Sequence, residues 1–148
     1  MRRQRSYGMS EEELMNWVPR TRLGRLVKKG EVKTYDEVLD KGLQVKEVEI
    51  IDSLLPDLNY DLMLICRGKG KFGRGQRRAF RQTQKKTKDG YNITFTAMGI
   101  VGDGQGLIGV GRGDSGETVP ARSKAYRNAK MNLFSIRRGC GSWECGCG

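Results

Sequence analysis

Apolar positions follow two regimes along the chain. Up to about residue 55 they recur at helical spacing in short bursts. Ser10 followed by Glu13 has capping-box spacing and predicts a short helix that stops before Pro19. Leu23, Leu26 and Val27 then form one apolar side among Arg22, Arg25, Lys28 and Lys29, with Gly30 as the stop. Thr34 with Glu37 repeats the capping-box spacing, and Val38 and Leu39 give that helix something to bury before Gly42. A further helical stretch runs from Glu47 to Leu55 and ends at Pro56. Further along, the period changes. Tyr91, Ile93, Phe95 and Ala97 alternate with Asn92, Thr94, Thr96 and Met98, a strand with one apolar face. Lys88-Asp89-Gly90 supplies a turn before it, so about Arg81 to Lys86 is its partner strand, while Asp103-Gly104-Gln105-Gly106 leads into a third strand at Leu107, Ile108 and Val110. From about Glu117 to Leu133 the period is helical again. Ala121, Ala125, Ala129 and Leu133 form an i, i+4 stripe, Pro120 suits the first turn, and Arg122, Lys124, Arg127 and Lys130 take much of the remaining circumference.

These elements predict an α+β fold: a three-stranded antiparallel sheet with a helix on one face, preceded by an irregular helical N-terminal extension. The opposite sheet face or the loops are left for a ligand. The divisions expected are an extension over 1–65, a Gly/Arg-rich basic insertion or loop over 66–81, the sheet–helix unit over 82–136, and a Cys/Gly-rich linker over 137–148.

Composition narrows the chemistry. Only 36% of the 148 residues are hydrophobic and 30% are charged, so a modest core is possible but not one that recruits the whole chain. No apolar run approaches the roughly 20 residues that span a bilayer, and the basic N-terminus has no apolar stretch behind it of the secretory kind. There is no histidine. That removes His-based acid–base catalysis and Ser-His or Cys-His nucleophile pairs, and with no recognisable acid pair an enzyme is disfavoured. The remaining signal is a net charge of +11. Residues 31–62 carry 3 basic and 9 acidic side chains, whereas Arg67 to Lys88 holds 10 basic residues and no acid. Interleaved with Gly68, Gly70, Gly73 and Gly75, the start of that run cannot bury enough apolar surface to fold alone, and the whole segment 67–81 is expected to order only on RNA. Phosphate would relieve its self-repulsion and release counterions. A solvated basic loop is the plain alternative, but ten uncompensated charges suit a polyanionic partner better.

Two motifs need weighing. Gly104 to Gly109 and Gly111 to Gly116 both match G-x-G-x-x-G formally. The first runs into a strand, and the second has no acid between Glu117 and Glu144 to hold a ribose. With 7 glycines in residues 102–116, tight turns and close packing explain them better. Arg112-Gly113-Asp114 is a coincidental adhesion tripeptide. Cys140, Cys145 and Cys147 sit among glycines that let several thiolates face one point, one ligand short of a closed zinc site. Cys66 more naturally belongs to the strand or loop before the basic run. Metal binding and inert thiols both remain open, while C-x4-C-x-C spacing disfavours redox chemistry.

Longer motifs carry a family resemblance. Trp17-Val18-Pro19-Arg20-Thr21-Arg22-Leu23-Gly24-Arg25-Leu26-Val27-Lys28, and Val48 to Asp52 with Leu54-Leu55-Pro56, closely resemble the N-terminal part of ribosomal protein five of the small subunit, in its archaeal–eukaryotic branch. Phe95 to Gly111 looks like that family's strand–turn–strand core, and Glu117 to Ala121 with Ala129 to Leu133 like its following helix. Arg137 to Gly148 is very similar to an archaeal signature of the family. The resemblance implies a double-stranded-RNA-binding-like domain over 82–136 and a second domain expected beyond Gly148. It implies a structural, non-enzymatic role in the cytoplasm, on the small ribosomal subunit. Small-subunit ribosomal RNA and neighbouring small-subunit proteins would be the partners, near the side where messenger RNA enters, with support for assembly and decoding accuracy. No membrane and no homo-oligomer are expected. Lys85 to Gly90 aligns with the family's basic loop that reaches into ribosomal RNA. The residues expected to bind RNA are Arg20, Arg22, Arg25, Arg67, Lys69, Lys71, Arg74, Arg77, Arg78, Arg81, Lys85, Lys86, Lys88, Arg112, Arg137 and Arg138. One Zn²⁺ is expected on Cys140, Cys145 and Cys147, with a fourth ligand from outside residues 1–148, where the resemblance implies a histidine. Cys66 to about Arg81 departs from the family pattern as an insertion. A free-standing regulator or chaperone that binds structured RNA with the same module is the alternative function.

Overall fold

The computed structural model describes residues 11–68 and 75–136. Four short helices come first: α1 (Glu11–Asn16), α2 (Arg22–Lys29), α3 (Tyr35–Asp40) and α4 (Val48–Leu54). Helix α2 buries Leu23 and Val27 and ends at Gly30, whose φ of 78° is a left-handed conformation that glycine adopts without a Cβ penalty. The expected capping box at α3 is not formed. Thr34 stands at the N-cap, but its hydroxyl donates to the Glu37 carboxylate at 3.0 Å instead of accepting from the helix backbone.

The strands are β1 (Asn59–Leu62), β2 (Cys66–Arg67), β3 (Arg77–Arg78), β4 (Phe80–Thr87), β5 (Gly90–Gly102), β6 (Leu107–Ser115) and β7 (Leu133–Ser135), with helix α5 (Thr118–Met131) before β7. The three expected strands are β4, β5 and β6, the last two longer than their alternation indicates. All pairings are antiparallel. Strands run β1-β5-β6-β7, and β4 shares the β1 edge of β5. It pairs with residues 90–97 of β5, whereas β1 pairs with residues 99–102. β2 and β3 form a separate two-stranded ribbon. The basic segment expected to order only on RNA thus has paired ends, Cys66 opposite Arg78 and Arg67 opposite Arg77.

One face of the sheet is covered. Ala121, Ala125 and Ala129 of α5 are fully buried against it, and α5 lies unusually low because β6 offers glycine where it crosses. A Cβ built on Gly111 would stand 2.1 Å from the Ala129 nitrogen, and one on Gly113 would stand 2.2 Å from the Ala121 carbonyl oxygen. The second G-x-G-x-x-G match is therefore a seat for helix backbone, and the approach a phosphate would need there is filled. The helical extension joins the same layer. Leu23, Val38, Ile50 and Ile51 share one buried cluster with Val101, Tyr126 and Leu133, so apolar burial runs across the expected boundary near residue 65. The Tyr35 hydroxyl donates to the Leu133 carbonyl at 3.0 Å and ties α3 to β7, and burial pushes its phenol pKa up.

Lys130 corrects the helical-wheel expectation. It is 2% exposed and donates to Asp52 of α4 at 2.5 Å, with its ammonium 5.2 Å from the centre of the Tyr60 ring. It is a strut between α4 and α5, not part of an outward basic surface. The reason is long-range: Asp52 lies on the inward side of α4 beside Ile50 and Ile51, and its charge selects a lysine opposite.

Candidate nucleic-acid interface

Among the described residues, the most exposed basic element is the far half of the β4–β5 hairpin. β6 pairs with β5 only from Phe95 to Gly102, so among the described residues Gly90 to Thr94 pair with β4 alone. The hairpin therefore leaves the sheet as a two-stranded arm. Its tip is the turn Thr87-Lys88-Asp89-Gly90, where Gly90 adopts φ 123° and the Thr87 hydroxyl donates to the Gly90 carbonyl at 2.9 Å. Every residue from Arg81 to Ile93 is exposed. Strand alternation sorts the side chains. Arg81, Thr83 and Lys85 share the face away from α5 with Asn92, Thr94 and the buried Thr96, whereas Gln82, Gln84 and Lys86 share the α5 side with Tyr91, Ile93 and Phe95. The arm thus presents cations in two directions, with Lys88 at its end. Asp89 is its single carboxylate.

The ribbon β2–β3 adds a second basic element directly before the arm. Arg67 lies opposite Arg77 across the strands, and Arg77 and Arg78 are exposed. Like charges directly opposite destabilise a strand pair unless an anion bridges them. The Arg67 guanidinium also lies close over Gly75, where an added Cβ would sit 3.3 Å from Nε. Lys69, Lys71 and Arg74, together with Arg137, Arg138, Cys140, Cys145 and Cys147, lie outside the described residues.

Arg20, Arg22 and Arg25 are exposed around α2. The backbone N–H groups of Arg20 and Thr21 donate to Glu47 at 3.0 and 2.6 Å, and the Thr21 hydroxyl accepts from Gly24 at 3.1 Å. The start of α2 is thereby pinned to α4, and its arginines point away from the apolar side formed by Leu23 and Val27. These arginines belong to the helical layer and are not part of the arm.

Arg112 is exposed but compensated. Its Nε lies 3.2 Å from Asp114, which also accepts from the Thr96 hydroxyl at 2.5 Å. The Thr96 hydrogen bond first, and then Arg112, hold the Asp114 carboxyl below the usual carboxylate range. Asp103 shapes the β5–β6 turn by accepting from the N–H groups of Gln105, Gly106 and Leu107. Burial raises its pKa, but those backbone hydrogen bonds outweigh it and the net shift is downward.

Two cationic contacts escape sequence reasoning. Arg122 stands 5.6 Å over the Phe80 ring where the arm leaves the sheet, and Lys124 donates to the Asp114 carbonyl at 3.2 Å. The register of β4 against β5, which places Phe80 under α5, is the signal that would have found the first. Among the described residues no group of three or more metal-ligating side chains is gathered, and no helix is long and apolar enough to cross a membrane.

A two-layer sheet with a projecting basic hairpin can be compared with known proteins. The family model described as Ribosomal protein S5, N-terminal domain, matches residues 68–137. The small ribosomal subunit protein uS5 of Picrophilus torridus is 47% identical over 132 residues, covering 89% of this chain and 53% of that protein. The chain belongs to the ribosomal protein S5 family. Its S5 relatives in Nanoarchaeum equitans and Thermoplasma acidophilum are 44% and 45% identical, over 89% and 95% of this chain and 56% and 55% of their own length. The chain spans about half the length of these S5 relatives. The family model begins at Gly68, inside the ribbon, so the S5 match takes in the arm, β5, β6 and α5.

Proposed function

We propose that the protein is a structural, non-enzymatic component of the small ribosomal subunit that binds ribosomal RNA through its basic arm and ribbon. The observation that carries this reading is the unshielded arm, with Arg81, Lys85, Lys86 and Lys88 exposed around one carboxylate on a sheet of the S5 family. Such a surface reads RNA by phosphate position and shape more than by base sequence. In this reading residues 82–136 act as a double-stranded-RNA-binding-like unit, with 1–65 as its helical extension, 66–81 as a basic insertion and 137–148 as a linker. Arg20, Arg22 and Arg25 make a separate contact from α2, while Arg112, neutralised by Asp114, contributes least. Neighbouring small-subunit proteins complete the setting, in the cytoplasm, near the path of messenger RNA, with support for assembly and decoding accuracy. Cys140, Cys145 and Cys147 hold a structural Zn²⁺, a reading supported by their glycine-rich spacing alone. Elemental analysis of protein purified without chelator tests the zinc: one equivalent that disappears in Cys145→Ser supports it, and metal-free protein with three titratable thiols refutes it. The ribosomal role is tested by expressing tagged protein in an archaeal host and sedimenting the lysate at high salt. Co-migration with small subunits is expected. Protein confined to the top of the gradient would favour a free-standing RNA-binding regulator or chaperone.

A further inference from the structure

Alternate residues of β5 make a single apolar stripe along the α5 side of the sheet: Val101, Gly99, Ala97, Phe95, Ile93 and Tyr91. The helical layer covers the first part. Ala97 and Val101 are fully buried, and Phe95 packs into the cluster of Ala97, Ala121 and Ala125. The stripe then runs on past the end of the helix. α5 starts over Gly113, which pairs with Ala97, and among the described residues the buried clusters extend along this stripe no further than Phe95. Ile93 is 38% exposed and Tyr91 66% exposed, with Gln84 and Lys86 as their cross-strand neighbours.

A solvated arm has no need of a large aromatic ring there. Its β-propensity could come equally from threonine, as it does on the other face at Thr83 and Thr94. Tyr91 presents an exposed ring on the same face as its cross-strand partner Lys86, with Ile93 next along that face as an apolar backstop. That is the arrangement an unstacked base meets on single-stranded-RNA-binding sheets. The cations of the arm favour a polyanion over an apolar protein segment as the occupant.

We infer that Tyr91 and Ile93 form a stacking platform for an unpaired base, so that the arm selects a bulge or internal loop and not a uniform duplex. Lys86, directly across from Tyr91, holds the phosphate next to that base. The inference rests on the RNA-binding reading above and adds to it a salt-independent contact. Phosphate neutralisation supplies affinity that falls with salt, whereas stacking supplies affinity that does not.

The test uses the intact protein and two RNA hairpins of equal length. One is fully paired; the other carries a single bulged adenosine replaced by 2-aminopurine, whose fluorescence reports stacking. Wild-type protein should prefer the bulged hairpin and shift the fluorescence of the bulged base. Tyr91→Ala should weaken binding to the bulged hairpin roughly tenfold, since stacking one base on an aromatic side chain is worth about 1–3 kcal/mol. Its salt slope should not change, and Tyr91→Phe should restore both preference and fluorescence. Because Tyr91 is mostly exposed, the unfolding midpoint of the Ala variant should stay at the wild-type value, which separates lost stacking from lost structure. Equal binding of both hairpins by wild type and Tyr91→Ala, with Lys85→Ala/Lys86→Ala still lowering the salt slope, would overturn the platform alone. If the lysine variant too were without effect, the RNA-binding reading itself would fall.

Discussion

Replacing Gly111 with alanine should be among the most damaging single-methyl additions available to this fold. The new Cβ would lie 2.1 Å from the Ala129 nitrogen, 2.5 Å from the Ala125 carbonyl oxygen and 2.6 Å from the Asn128 carbonyl carbon. All three obstacles are helix backbone, so no rotamer change relieves them. Ordinary contact needs about 3.5 Å, so α5 must retreat by roughly 1.4 Å along its middle turns. Ala125 and Ala129, fully buried now, would lose contact with the sheet, and the strut from Lys130 to Asp52 would move with them. Overpacking of this kind costs about 1–3 kcal/mol and sometimes more. Alanine in a strand recovers roughly 0.5–1 kcal/mol relative to glycine through reduced chain entropy, which is too little to reverse the sign. A net loss of about 2 kcal/mol corresponds to a melting-temperature drop of roughly 5–10 °C for a domain of this size. Gly116→Ala is the matched control, because a Cβ there meets nothing within 4 Å. Thermal and urea unfolding of both variants, followed by circular dichroism, reads the difference. If Gly111→Ala melted within a degree or two of Gly116→Ala, α5 would not be seated on the β6 backbone and the account of the sheet–helix layer would be wrong.

The strut between α4 and α5 makes a second prediction. Lys130→Met leaves Asp52 charged and buried, and should cost about 3–5 kcal/mol in urea unfolding. Adding Asp52→Leu should recover most of that loss, and failure of the double variant to recover would mean that the loss comes from the contact of Lys130 with Tyr60 and not from the stranded carboxylate. Acid stability follows from Asp114. Its folded carboxyl is held below its unfolded value, so it contributes stability that is complete above about pH 4 and is lost as pH falls through the folded value. Asp114→Asn should therefore flatten the fall in urea midpoint below about pH 4, and an unaltered profile would show that Thr96 and Arg112 do not hold the charged form.

Local periodicity made much of this fold legible. Leu23 and Val27 with Gly30 mark α2, the alanine stripe marks the buried side of α5, and Lys88-Asp89-Gly90 marks the hairpin turn. These features depend on residues within a few positions of each other. β1 and β7 were not legible, because strands of four and three residues take their identity from the neighbour they pair with: Asn59 to Leu62 alternates polar and apolar, but over too few residues to mark a strand. Lys130 was misassigned for the same reason at longer range: its partner Asp52 is 78 residues away in sequence. The basic run was visible as composition, but its division into a ribbon and a free arm depends on β5 outlasting β6 by five residues at the Gly90 end. The glycines of β6 read as a packing motif, while the helix backbone that fills their place could only be seen in the fold. The cysteine cluster, visible in the sequence, lies outside the described residues.

The central claim is that the arm binds ribosomal RNA by neutralising phosphates. Its most direct test is the salt dependence of affinity for small-subunit ribosomal RNA, compared between wild type and a variant with Arg81, Lys85, Lys86 and Lys88 all changed to alanine. Each lost phosphate contact lowers the slope of log K against log salt by roughly 0.7–0.9, so the variant should lose up to about 3 units of slope. Its melting temperature should hold, because all four side chains are exposed. A variant that binds with the wild-type slope would place the RNA contact elsewhere on the molecule and contradict the account.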